Sequence, residues 1–315
     1  VLEELCDRNE VSWSALMAGY TLHGQGHKAL DSFEQMQSMG ISPDMVTFIC
    51  ILKACSSAGD IDVGKRIHDE IARRGLLEKD VVLGTALVDM YATCNVLGKA
   101  KHVLEHLPFR NAASWSALIS GYTQQGQGHE ALNCYEKMQN EGLSPDVVTF
   151  ICILKACGRI GAIDKGKQIH EEIVRMGLME KDIALGNALL DMYIKCGMLE
   201  KAQNVFDVMQ IKGATSQTTL SEAYAKNGSL IKGQEMVNKL SAQGIVCACT
   251  SLISGYVEYG FTEEAMMNIE RMQVEGLCLD AAMLVFILKS CGKEGAIETG
   301  REIHTMIVKR GLESW

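Results

Sequence analysis

The sequence predicts an all-α chain, a solenoid of stacked helix–turn–helix hairpins. Three observations carry this. The chain repeats itself at a fixed offset. The repeated block divides into hairpin-sized units. Within each unit apolar residues recur at helical spacing between glycine and proline turns.

The repeat is dense. SWSALMAGYTLHGQGHKAL from Ser12 returns as SWSALISGYTQQGQGHEAL from Ser114, an offset of 102 residues. DMVTFICILKAC from Asp44 returns as DVVTFICILKAC from Asp146, and GTALVDMYATC from Gly84 as GNALLDMYIKC from Gly186. Each block divides into units of 35, 36 and 31 residues, at 10–44, 45–80 and 81–111, then 112–146, 147–182 and 183–213. An irregular unit spans 214–245, a 35-residue unit spans 246–280, and a final unit begins at Ala281 and is cut at Trp315. Residues 1–9 read as the tail of a preceding unit. The whole chain, 1–315, is expected to form one quasi-linear domain.

The unit at 112–146 shows the local logic. Trp115, Leu118 and Tyr122 fall at i, i+3 and i+7 on one face of a first helix, and Gly126 supplies the turn. Ala131, Leu132, Tyr135 and Met138 define a second helix, ended by Gly142 and Pro145. Small Gly121 and Ala131 are expected to let the two backbones approach. Asp146 stands where a carboxylate favours the start of the next helix. One hairpin cannot bury its own apolar face. Stacked hairpins share one, with first helices expected on a concave side and second helices on a convex side.

Composition narrows the function. No apolar run among the 315 residues is long enough to span a bilayer, and no targeting segment is present, which leaves location open. The 12 cysteines show no C-x-x-C and no disulfide-scaffold spacing, so they read as free buried thiols rather than metal ligands. No cofactor, metal site or catalytic constellation is expected. His68, His170 and His304 recur at one position, which points to packing. His68-Asp69-Glu70 and His170-Glu171-Glu172 match half of a zinc deaminase signature but lack its P-C-x-x-C partner. The net charge of −9 opposes nucleic-acid binding. First helices nevertheless carry Lys53, Lys155, Arg159, Lys195, Lys226, Lys289 and Lys293 against Asp89, Asp191, Glu222, Glu258 and Glu294.

The hairpin with W-S-A-L-I-S-G-Y in helix one, E-A-L in helix two and a closing S-P-D resembles the pentatricopeptide repeat. The 35, 36 and 31 order is similar to the triplets of its plant PLS subfamily. The 36-residue units carry I-L-K-A-C and Gly166, Lys167, Ile169 and His170; the 31-residue units carry N-A-L-x-D-M-Y and Cys196-Gly197. The nearest competitor, the tetratricopeptide repeat, keeps a fixed 34-residue period. The resemblance implies a right-handed α-solenoid (an alpha-alpha superhelix) that binds single-stranded RNA of a mitochondrial or chloroplast transcript, one base per repeat. It also implies a recognition role in C-to-U editing, with a deaminase domain or editing factors as further partners and no membrane.

By the same resemblance, bases are read by the fifth and last residues of a unit. These are Ser14 with Asp44, Thr85 with Asn111, Ser116 with Asp146, and Thr250 with Asp280. Asp44, Asp146 and Asp280 can serve as helix-start residues as well. Second-position Val11, Val46, Val82, Ala113 and Val148 would pack on base faces. A carboxylate only accepts hydrogen bonds, which suits guanine for units one, four and eight; Asn111 suits adenine for unit three. Ile49, Ile151 and Val285 offer no polar group at the fifth position. Unit six pairs Asn187 with Gly213 and hints at a pyrimidine; unit seven, with Thr218, Ile245 and Gln217, reads as degenerate. Lys195 and Lys226 would meet phosphate. Trp13 and Trp115 are expected in the core rather than against bases. The alternative is a protein-binding helical scaffold using the same surface.

Overall fold

The computed structural model describes residues 9–309 except 79, 180–181, 239–248, 251, 254, 257–260, 275, 277–283, 286–287, 289–290 and 293–296. The chain divides into two compact units, Val1–Ile160 and Gly161–Trp315, and the division falls inside the fifth repeat.

The first unit holds α1 (Glu10–Leu22), α2 (Gly26–Ser38), α3 (Met45–Ala58), α4 (Ile61–Arg73), α5 (Val81–Thr93), α6 (Leu97–His106), α7 (Ala112–Gln124), α8 (Gly128–Asn140) and α9 (Val147–Ile160). Odd-numbered helices pack in order, α1 on α3, α3 on α5, α5 on α7 and α7 on α9, forming one layer of first helices. Second helices pack against them, α2 on α1 and α3, α8 on α7 and α9. The second unit holds α10 (Ile163–Arg175), α11 (Ile183–Lys195), α12 (Leu199–Val208), α13 (Ala214–Lys226), α14 (Leu230–Asn238), α15 (Thr262–Val274) and α16 (Ile297–Lys309). There α11 packs on α12 and α13, and α13 on α14.

The repeat lengths now have a cause. The second helices α6 and α12 of the 31-residue repeats have 10 residues, against 13 in α2, α4, α8 and α10. The 36-residue repeats open on first helices of 14 residues, α3 and α9. First helices start on side-chain caps: Asn9, Asp44, Asp80, Asn111 and Asp182 each accept a hydrogen bond from backbone N–H groups of the first turn.

Trp115, Leu118, Tyr122, Ala131, Tyr135 and Met138 are buried as the periodicity requires, whereas Leu132 is only half-buried. Gly126 takes the left-handed conformation that its turn needs, φ +74°. The expected role of Gly121 is corrected. A Cβ there would meet Leu97 Cδ2 at 2.8 Å and Ala92 Cβ at 2.9 Å, so this glycine admits the preceding repeat, not its own second helix. Unit seven forms its hairpin despite Gln217, through buried Leu220, Ala223 and Tyr224 on α13. Among the described residues no helix is long and apolar enough to cross a membrane.

Candidate nucleic-acid interface

The expected reading pairs lie where the last residue of one repeat caps the first helix of the next. Asp44 Oδ1 accepts from the Thr47 backbone N–H and from the Thr47 hydroxyl, both at 2.7 Å. Thr47 Oγ1 lies 2.8 Å from Ser14 Oγ, so one hydrogen-bonded chain joins both expected readers of unit one. Asp146 Oδ1 repeats the first part with Thr149, at 2.7 Å from N–H and 2.6 Å from hydroxyl. Thr85 Oγ1 lies 3.3 Å from Asn111 Oδ1, which also accepts from Ser114 N–H at 2.8 Å.

A groove of about 420 Å³ crosses the first-helix layer of the first unit. Thr85, Ser116 and Asp146 line it together with Val82, Ala113, Val148 and Ile49. Val11, Val46, Val82 and Val148 are more than half exposed, at 67%, 56%, 53% and 56%, and Ala113 is exposed as well. Apolar side chains left in water beside polar pairs are what a stacking base needs. Ser14 and Ser116 retain 5% and 7% exposure, Asp44 is half-buried and Asp146 exposed; of these four, Ser116 and Asp146 line the groove.

The groove's charges are mixed. Lys53 and Asp89 both line it. Burial pushes the Asp89 carboxyl upward and the Lys53 charge pulls it back. The two expected phosphate ligands are already engaged within their helices. Lys195 Nζ donates to Asp191 at 2.6 Å, and Lys226 Nζ lies 3.8 Å from Glu222. Asn187 Oδ1 is buried without a hydrogen-bond partner among the described residues, and Gly213, its expected co-reader, brings no side chain. Thr250 is half-buried, and Asp280 and Ile245 lie outside the described residues.

Thr47 and Thr149 were the residues the repeat reading missed. Their signal is in the sequence: Asp-x-x-Thr at 44–47 and 146–149, matched by Asn-x-x-Ser at 9–12 and 111–114. Two of the recurring histidines, His68 and His170, pack as expected, whereas His304 is exposed. His68 Nδ1 and His170 Nδ1 each lie 2.9 Å from a tyrosine hydroxyl, those of Tyr91 and Tyr193. Burial keeps both imidazoles below their ordinary value. Cys50, Cys55, Cys134 and Cys157 are buried free thiols, with burial pushing Cys55 up to about 12. Among the described residues no cluster of histidine, cysteine or carboxylates could hold a metal.

The PPR repeat family model matches residues 8–76 and 110–159, and the PPR repeat model matches 148–178, 187–213 and 247–277. The chain belongs to the pentatricopeptide repeat family. It is 34% identical to pentatricopeptide repeat-containing protein At2g33680 of Arabidopsis thaliana, over 98% of this chain and 43% of that protein. It is 31% identical to the chloroplastic pentatricopeptide repeat-containing protein At4g25270 of the same plant, over 98% of this chain and 57% of that one. The mitochondrial At1g06140 is 28% identical, over 100% of this chain and 57% of its own length. The chain therefore spans about half the length of such relatives or less. The crystal structure of PPR10 with an 18-nt psaJ RNA element superimposes with TM-score 0.73 at 21% identity, covering 96% of this chain and 45% of that one. The fold is thus the all-α helical-repeat solenoid of pentatricopeptide proteins.

Proposed function

We propose that this chain is a binding scaffold for single-stranded RNA, reading bases through Ser14 with Asp44, Thr85 with Asn111, Ser116 with Asp146, and Thr250 with Asp280. The observation that carries the reading is the convergence, in one groove, of Thr85, Ser116 and Asp146 with exposed Val82 and Val148. Polar pairs supply base-edge contacts and the valines supply faces for stacking. Units with Ile49 and Ile151 contribute packing without readout.

The alternation of helix lengths, with 10-residue second helices in every third described repeat through residue 213, supports a place in the PLS group. On that reading the chain guides C-to-U editing of a mitochondrial or chloroplast transcript, and the deaminase is a further domain or a recruited partner.

The test is a binding selection from random single-stranded RNA. Enrichment of guanine at three positions, those of units one, four and eight, is expected, and Ser116→Asn should move one of them towards uracil. An enriched motif that ignores this change sinks the assignment of Ser116 and Asp146. Enrichment of no motif favours the protein-binding reading, towards which the net charge of −9 points.

A further inference from the structure

We propose that Thr47, a residue of the following repeat, is a positioning residue that sets the donor and acceptor polarity of the unit-one reading pair. The inference rests on the RNA reading above and assigns a specificity role to a third side chain.

Thr47 has one hydroxyl hydrogen. Asp44 Oδ1, a carboxylate oxygen, can only accept, so that hydrogen is spent on the 2.7 Å bond. The 2.8 Å contact between Thr47 Oγ1 and Ser14 Oγ must then be donated by Ser14. Ser14 consequently has no hydrogen left for a base and presents lone pairs only. Asp44 Oδ1 already takes two bonds from Thr47, which leaves Oδ2 as the free acceptor. The pair therefore faces a base with two acceptors and no donor. Guanine alone among the four bases carries two neighbouring donors on its Watson–Crick edge, N1–H and N2–H. A serine free to rotate would serve a base acceptor as readily, and the discrimination against adenine would fall.

Capping alone does not account for the hydroxyl. Asp80 and Asp182 cap the first helices of their following repeats through backbone N–H groups, with Leu83 and Leu185 at the equivalent place. Those two aspartates close the repeats whose fifth residues are Ile49 and Ile151, which have nothing to orient. A hydroxyl follows the reading pairs of units one, three and four: Thr47 after Ser14 and Asp44, Ser114 after Thr85 and Asn111, where it donates to the Asn111 carbonyl instead, and Thr149 after Ser116 and Asp146. Unit eight departs, with Met283 after Thr250 and Asp280, and is expected to discriminate less sharply.

The experiment is a selection of random single-stranded RNA on the unaltered chain and on Asp44→Asn, Thr47→Val and Thr47→Ser. The position that Asp44→Asn moves away from guanine marks unit one. Thr47→Val keeps the shape and the backbone bond but lacks the hydroxyl. It should lower the guanine-over-adenine preference at that position about three- to tenfold, the worth of one hydrogen bond. Other positions should be unchanged, and Thr47→Ser should retain the preference. A purely structural role would weaken all positions together. If Asp44→Asn moves a position that Thr47→Val leaves intact, the proposal is wrong and the RNA reading stands. If Asp44→Asn moves none, both fail.

Discussion

Unit one and unit four, 102 residues apart, share 15 of the 26 residues of their two helices and differ in what their tryptophans touch. Trp13 and Trp115 are both 3% exposed on the first-helix core stripe. Trp115 Nε1 donates to Glu141 Oε2 at 2.9 Å, and Glu141 Oε1 accepts from Arg110 at 2.8 Å. Trp13 Nε1 is buried with no hydrogen-bond partner among the described residues, and the place of Glu141 is taken by Met39. Duplication copied the apolar stripe, which each helix needs for itself. The polar partner sits at the end of the second helix, which faces solvent and was free to change. Packing is therefore common to the two units, and polar satisfaction is not.

Swapping the two side chains breaks or restores the difference. Glu141→Met should cost about 2 kcal/mol, because a buried indole N–H is left unpaired. The Arg110 pair adds little, since its side chains are 32% and 31% exposed. Chemical denaturation measures this, and a loss below about 0.5 kcal/mol would show that the Trp115 bond contributes nothing net. The reverse change, Met39→Glu, should stabilise by about 0.5–1 kcal/mol, less than the first effect because a new carboxylate must be ordered and partly desolvated. An unchanged or lowered denaturation midpoint would mean that Trp13 N–H is satisfied in solution.

Much of this was legible in the sequence because it follows from self-similarity. The hairpins, their turns and the buried Trp13, Trp115, Phe48 and Phe150 need only period and composition. Contacts between repeats were not legible, because periodicity places a residue on a face without naming its neighbour. Gly121 was read as an intra-hairpin contact and faces the preceding repeat. Lys195 and Lys226 were read by resemblance as phosphate contacts, and each also pairs with a carboxylate one helical turn away in its own helix. The Thr47 hydroxyl was visible as an Asp-x-x-Thr cap, but its link to Ser14 spans 33 residues and needs coordinates.

The histidine–tyrosine contacts extend the comparison to pH. His68 and His170 occupy equivalent places, each 2.9 Å from a tyrosine hydroxyl, with rings edge-on at 5.5 and 5.6 Å. Burial lowers both imidazoles. Asp69 opposes this at His68, where Lys99 and His102 add to it; at His170, Lys201 adds and Glu171 opposes. A histidine whose folded value lies below its unfolded value of about 6.5 binds fewer protons in the fold. Its contribution is neutral above that pH and becomes destabilising as pH falls through it, levelling off once the folded site is also protonated. The denaturation midpoint should therefore drop between pH 7 and pH 5. His68→Gln and His170→Gln should each flatten the drop, which subtracts the opposite contribution of the raised Asp89 carboxyl. The flattening should be larger for His170→Gln, because the largest charge contribution there, from Lys201, adds to burial, whereas at His68 the largest, from Asp69, opposes it. Equal flattening would assign the effect to burial alone, and no flattening would remove both histidines from the pH response.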